Sequence, residues 1–221
     1  MGYLDTLSSV AIANAKILAT TCRNHGITNP VAIAGGLAVV SKESGFIPKF
    51  ETGYSNTSVA RIRKIFTTTL KNFSDAQIVA LKQDDVKFFN VIYGGRYGNG
   101  PDEGYKYRGG GLNQVTFKNN YKKMTQLTGH DLINYPENIN QIHIACECMV
   151  QYFKSNFVNS ASIVKARYGA NHINDFSSLE TSAMAFYNAN AGFGKDTRGS
   201  KMDGYARALE RVDELYSLIH L

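Results

Sequence analysis

From Pro30 to Ser41 the chain reads PVAIAGGLAVVS, twelve residues without a charge. Asn29 before Pro30 is a helix-start signal, because asparagine caps free N–H groups and proline suits the first helical position. A helix that is apolar all round is stable only when neighbours enclose it. The chain must therefore build a core around this segment, and its 221 residues suffice to do so in one domain spanning 1–221. Gly35 and Gly36 weaken the helix by propensity and predict a close neighbour. Gly45 and Pro48 end it just after Glu43. A carboxyl group carried to the edge of a core on a rigid helix is held in place and partly desolvated, as a proton donor requires.

Other helical patterns are predicted at about Asp5–Cys22, Ser58–Leu70, Asp75–Lys82, Asp84–Tyr93, Asn113–Leu127, Ile139–Asn156, Ser160–Tyr168, Leu179–Asn188 and Lys201–Ile219. Between them lies GGRYGNGPDEGYKYRGGG at 94–111, whose glycines and Pro101 exclude a regular helix or central strand. The expected fold is α+β, mainly α, with a buried central helix and a small irregular or β lobe.

Charge and cysteine content narrow the function. A net charge of +6 attracts polyanions. Lys and Arg are nonetheless dispersed, so nucleic acid is not an expected partner. The glycine block lacks the GK[ST] of a phosphate loop. Cys22, Cys146 and Cys148 form no disulfide framework, which fits synthesis in a reducing cytoplasm. The first residues read as a helix, not a signal peptide, and no apolar run approaches the ~20 residues of a membrane span. His143, Cys146 and Cys148 lack the spacing of a closed zinc site, so neither metal nor other cofactor is expected.

Three segments carry the chemistry: KESGF at 42–46, FETGYSNTS at 50–58 and NVIYGGRYGNGPDEGYKYRGGGLNQVTFKNNY at 90–121. Together they resemble family 19 glycoside hydrolases, closest to the short, phage-encoded endolysin-like members of that chitinase family. A looser echo is FYNANAGFG at 186–194. The resemblance implies a lysozyme-like two-lobed fold and endo-acting hydrolysis of β-1,4 bonds in bacterial peptidoglycan with inversion. It implies Glu43 as general acid and Glu51 as base, with their carboxyl groups ~6.5–9.5 Å apart to admit water. Thr116 matches the hydroxyl residue that helps hold that water. Gln114, Asn120 and Tyr121 match sugar-contacting positions, and Asn188 matches an asparagine that binds the N-acetyl group.

Gln114 and Thr116 stand two apart, so they share a surface only if the chain is extended or irregular there. Tyr54 and Ser55, near Glu51, are further candidate glycan contacts. Tyr107 is either a sugar platform or core packing, and Arg108 either faces the glycan or anchors the loop. The chain departs from the family at Lys42, where histidine is common, and at Gly110, where YRGRG has become YRGGG. It also lacks the usual second glycine after Ser44-Gly45, and it contains no tryptophan.

Three alternatives stay open: a lytic transglycosylase, suggested by ESGF and GLNQ; a chitinase; and an inactive phage tail module of the same fold. The expected partner is the cell-wall glycan, reached through a separate membrane pore or as part of a virion or tail. The chain is otherwise expected to be a monomer.

Overall fold

A computed structural model describes residues 2–191, 193 and 202–220, with side chains from 206 onward in the last stretch. The described residues form ten α-helices: α1 (Ser9–Asn24), α2 (Pro30–Glu43), α3 (Val59–Ile65), α4 (Asp75–Leu81), α5 (Asp85–Tyr93), α6 (Lys118–Thr128), α7 (Ile142–Asn159), α8 (Ala161–Tyr168), α9 (Leu179–Ala191) and α10 (Met202–Leu218). Short 3-10 turns lie at Leu4–Thr6 and Pro136–Asn140. The protein is mainly helical. The expected β component shrinks to one antiparallel bridge, Gly110 with Val115, and no strand occurs among the described residues. No helix among them is long and apolar enough to cross a membrane.

The α2 helix is buried from Ala32 to Ser41, as its composition requires. It packs on α9 and α10 within a core that also takes in α1 and α7. The approach to α9 is closest at Gly35, where a Cβ atom would overlap the hydroxyl of Ser182. The Asn29 side chain caps α2 by accepting from the Val31 N–H at 2.8 Å. Its amide donates to the carbonyls of Asn174 and Phe176, each at 2.7 Å, tying the start of α2 to the loop before α9.

The end of α2 is fixed by a trade between backbone strain and burial. Gly45 and Phe46 both adopt left-handed backbone, at φ 58° and 64°. For phenylalanine this costs about 1–2 kcal/mol. Burying its ring completely returns about 2–3 kcal/mol. Asn14 also donates to the Phe46 carbonyl at 2.9 Å. Burial wins, and the turn holds Glu43 at the core's edge.

Two smaller apolar clusters flank this core. Ile62, Leu70, Ile78, Phe88, Phe89 and Ile92 pack together within the α3–α5 region, with Tyr54, Tyr93 and Tyr105 against them. Tyr107, Val115, Tyr121, Met124, Leu132, Ile139 and Cys148 form the other. The two largest departures from the expected helix bounds are in the third and sixth helices. The third stops at Ile65, because Thr67-Thr68-Thr69 is β-branched and the Thr67 hydroxyl donates back to Arg63 O at 3.0 Å. The sixth begins at Lys118, not near 113, because Gln114 and Phe117 adopt positive φ of 53° and 74°.

Candidate functional site

Glu51 is the most firmly held of the candidate residues. Tyr54 donates to its Oε1 at 2.8 Å, and Tyr93 donates to its Oε2 at 3.0 Å. Both phenols are pushed well above the ordinary tyrosine range, first by burial and then by the charge and hydrogen bond of Glu51. They therefore stay protonated and remain donors. Tyr54 stacks on Phe88 at 5.1 Å and Tyr93 on Phe89 at 5.8 Å, so neither ring is free to swing. The Glu51 backbone N–H donates to Gly109 O at 2.7 Å, joining this carboxylate to the glycine block.

Gly109 is also where Gln114 and Thr116 converge. A Cβ on Gly109 would lie 2.8 Å from the Gln114 Oε1 and 3.4 Å from the Thr116 hydroxyl. The Gln114 amide donates to Lys49 O at 2.8 Å, closing the block onto the chain before Glu51. The irregular 113–117 segment thus supplies the condition under which residues two apart share a surface. Gln114, Thr116, Phe117 and Asn120 line one groove of about 310 Å³ with Tyr152 of α7 and Asn190 of α9. Neither Glu43 nor Glu51 is among the residues lining it.

Glu43, the last residue of α2, has different neighbours. Its Oε1 is paired with Lys42 Nζ at 2.8 Å, and both side chains are about a quarter exposed, at 27% and 26%. The Lys42 ammonium lies 5.7 Å from the centre of the Tyr187 ring on α9. The Tyr187 phenol is raised by burial and by the Glu43 carboxylate, against the opposing effect of Lys42. Tyr187 and Asn190 are three apart on α9, and Asn190 lines the groove.

Several candidate contacts are corrected by burial. Tyr107 and Tyr121 are wholly buried, with ring centres 5.3 Å apart. Their hydroxyls donate inward, to Ile133 O and Arg108 O, each at 2.9 Å. They hold the glycine block together and present nothing to a glycan. Asn188 is 7% exposed, and its amide donates to the Tyr168 hydroxyl and Met184 O at 2.7 and 3.0 Å. Tyr54 is half-buried, and its hydroxyl is engaged by Glu51. Arg108 is a loop anchor: its guanidinium lies between the rings of Phe50 and Tyr105 at 4.1 and 3.8 Å, and it donates to Tyr105 O. Ser55 is exposed, and its carbonyl accepts from Lys82 at 2.7 Å. Thr116 donates to Gln114 O at 3.0 Å, and Asn120 to Thr116 O at 2.8 Å.

Two residues beyond the sequence reading complete the framework. Tyr93 is the second donor to Glu51. Asn99, 7% exposed, donates to Tyr93 O at 2.9 Å and accepts from the Lys118 N–H at 2.8 Å. It supplies the cap that Phe117 cannot, so one side chain joins the Glu51 clamp to the start of α6. An asparagine between two glycines marks a turn, but it does not announce which distant helix it caps.

Gly110 is explained by its surroundings. A Cβ there would lie 2.7 Å from the Tyr121 hydroxyl and 2.8 Å from Ile139 Cγ2, leaving no room for an arginine side chain. Among the described residues no group of three or more His, Cys, Asp or Glu is placed to hold a metal ion. His143 is exposed, whereas Cys146 and Cys148 are buried with thiols pushed up to about 12, chiefly by burial. The chain matches no protein-family model, and no curated protein matches it.

Proposed function

We propose that the protein is an endo-acting glycoside hydrolase of β-1,4-linked amino-sugar glycans, with bacterial peptidoglycan as substrate. Glu43 is the general acid. Glu51 is the base that activates water for attack with inversion, and Thr116 helps orient that water. The observation that carries this reading is the Glu51 carboxylate, fixed by two tyrosine hydroxyls and bonded through its backbone to Gly109, beside Gln114 and Thr116 on the groove wall. In this reading the helical core carrying Glu43 and the α3–α5 region carrying Glu51 are the two lobes of a lysozyme-like fold. The groove is an end of the cleft, lined by the hydrogen-bonding side chains that sugars require. The charge of +6 suits an anionic wall, reached by pore-mediated release or on a virion.

A second reading is a glycan-binding module without turnover. It is favoured by the Lys42–Glu43 pair and by a groove that neither glutamate lines.

Product analysis on purified peptidoglycan decides between them, with Glu43→Gln and Glu51→Gln alongside. The hydrolase reading expects new reducing ends from the wild type and losses of a hundredfold or more in each variant. Anhydromuramic ends would show a transglycosylase instead. Equal digestion by Glu43→Gln and wild type would remove Glu43 from the mechanism. Faster cleavage of chitin oligomers than of wall would reassign the substrate.

A further inference from the structure

Tyr97 stands out among the large side chains of the glycine block. It is 64% exposed, yet its backbone is left-handed, at φ 46°, where an aromatic residue is strained. Phe117 also has a positive φ, at 74°. Their rings meet at 4.8 Å. Arg96 backs both, with its guanidinium 5.8 Å from the Tyr97 ring centre and 5.6 Å from that of Phe117. The same guanidinium donates to Ile92 O at 3.0 Å, anchoring the pair to the end of α5. The Tyr97 carbonyl accepts from Asn119 N–H at 3.1 Å, so the residue is also fixed to the first turn of α6. The ring is therefore immobilised and exposed at once. Glycine or asparagine would occupy this backbone with less strain and would leave less apolar surface in water.

Phe117 lines the 310 Å³ groove with Gln114, Thr116 and Asn120. Gly98, next in the chain, and Asn119 line a second depression with Lys118 and Lys122. Tyr97 itself lines neither depression, but its ring meets Phe117 of the first and its chain neighbour Gly98 belongs to the second. A flat, rigid ring next to a row of amide and hydroxyl groups matches a pyranose, which offers an apolar C–H face and equatorial hydroxyls. We infer that Tyr97, braced by Arg96 and Phe117, is a stacking platform for a sugar ring of the glycan outside the reacting pair, extending the groove by one binding position. The inference rests on the proposed glycan specificity, and it makes Tyr97 a residue of binding and not of turnover.

Two measurements test it: steady-state kinetics on soluble peptidoglycan fragments, and titration of chitotetraose into Glu51→Gln protein. Tyr97→Ala is expected to raise KM and weaken chitotetraose binding about tenfold, with kcat within about twofold of wild type. Tyr97→Trp is expected to restore both. Thermal unfolding of Tyr97→Ala should match the wild type, because the ring is mostly in solvent. A wild type that cleaves wall while Tyr97→Ala keeps its KM and affinity overturns the platform alone. Tyr97-dependent chitotetraose binding by a chain that cleaves nothing supports the platform and overturns only the hydrolase reading. Absence of both cleavage and binding overturns both.

Discussion

Replacing Gly35 by alanine tests the packing on which the placement of Glu43 depends. In an exposed helix interior this change stabilises by about 1 kcal/mol. Here the new Cβ would overlap the Ser182 hydroxyl and lie 2.9 Å from the Ser182 backbone carbonyl carbon and 3.0 Å from its Cβ. The hydroxyl cannot turn aside freely, because it donates to Val31 O at 2.9 Å. The backbone carbon moves only if α9 moves. Overpacking against backbone costs about 3 kcal/mol, the upper part of the usual range, so the net destabilisation is about 2 kcal/mol. For a domain of this size that lowers Tm by about 4–8 °C. Urea unfolding and calorimetry of Gly35→Ala, Ser182→Ala and the double variant measure the effect. Removing the hydroxyl relieves one overlap and leaves the two others, so the double variant should recover about 0.5–1 kcal/mol relative to additivity. A Tm for Gly35→Ala equal to or above the wild type would refute the close approach of α2 and α9. Displacing α9 also shifts Tyr187 and Asn190 relative to Glu43, so activity should fall even at temperatures where the variant is folded.

Tyr93→Phe and Tyr54→Phe each remove one donor to Glu51; with hydrogen bonds to charged groups worth about 1.5–3 kcal/mol, each should lower kcat at least tenfold while near-ultraviolet dichroism stays native. A double variant with wild-type kcat would show that Glu51 needs no clamp. Gly110→Arg should cost about 3 kcal/mol or more by forcing Tyr121 and Ile139 apart, and an unchanged urea midpoint would contradict the packing described. Glu214 accepts from the N–H groups of Tyr3 and Leu4 at 2.8 and 2.9 Å, and these bonds hold its carboxyl below the usual range. Because its folded value is depressed, its stabilising effect is present above the unfolded carboxylate value and is lost as pH falls through the folded one. Amide exchange at Tyr3 and Leu4, corrected for intrinsic rates, should therefore speed up below about pH 4, and Glu214→Gln should flatten that dependence.

How much of this was legible in the sequence follows from the range of the forces involved. The α2 helix could be read because its signals are local: a cap at Asn29, proline at the first position, and no polar face. The same holds for Ser74 and Gln77, whose reciprocal capping box starts α4, and for Asp84, which caps α5. The start of α6 could not be read. It is set by positive φ at Gln114 and Phe117, residues whose identity does not announce it, and its cap comes from Asn99, nineteen positions away in sequence. Tyr105, Lys106 and Tyr107 show the same limit. Local sequence leaves Tyr107 open between platform and packing, and only its packing against Tyr121 and Ile133 decides that it is buried while Tyr105 stays partly exposed. Tyr93 lies 42 positions from Glu51, and no spacing rule links a helix-end tyrosine to a loop carboxylate so distant.

The two glutamates are held in physically unlike ways, and the difference bears on their proposed roles. The partner of Glu43 is its chain neighbour Lys42, reached by bending a long, rotamer-rich stem over Tyr187. A pair with both members partly in solvent is worth about 0–1 kcal/mol, so an arriving sugar can displace the ammonium at little cost. That suits a group that must exchange partners during a catalytic cycle. Glu51 is fixed from two sides by hydroxyls whose rings are locked in an aromatic cluster, and breaking either bond would leave a partly buried donor unsatisfied. That suits a group that keeps one orientation while water comes and goes. The prediction that separates the roles is the response to replacing the partners. Lys42→Met should leave glycan cleavage within a few fold of wild type, because the contact it removes is worth at most about 1 kcal/mol. The Tyr54→Phe, Tyr93→Phe pair should abolish it. The opposite ranking would mean that the mobile and the fixed carboxylate have been assigned the wrong way round.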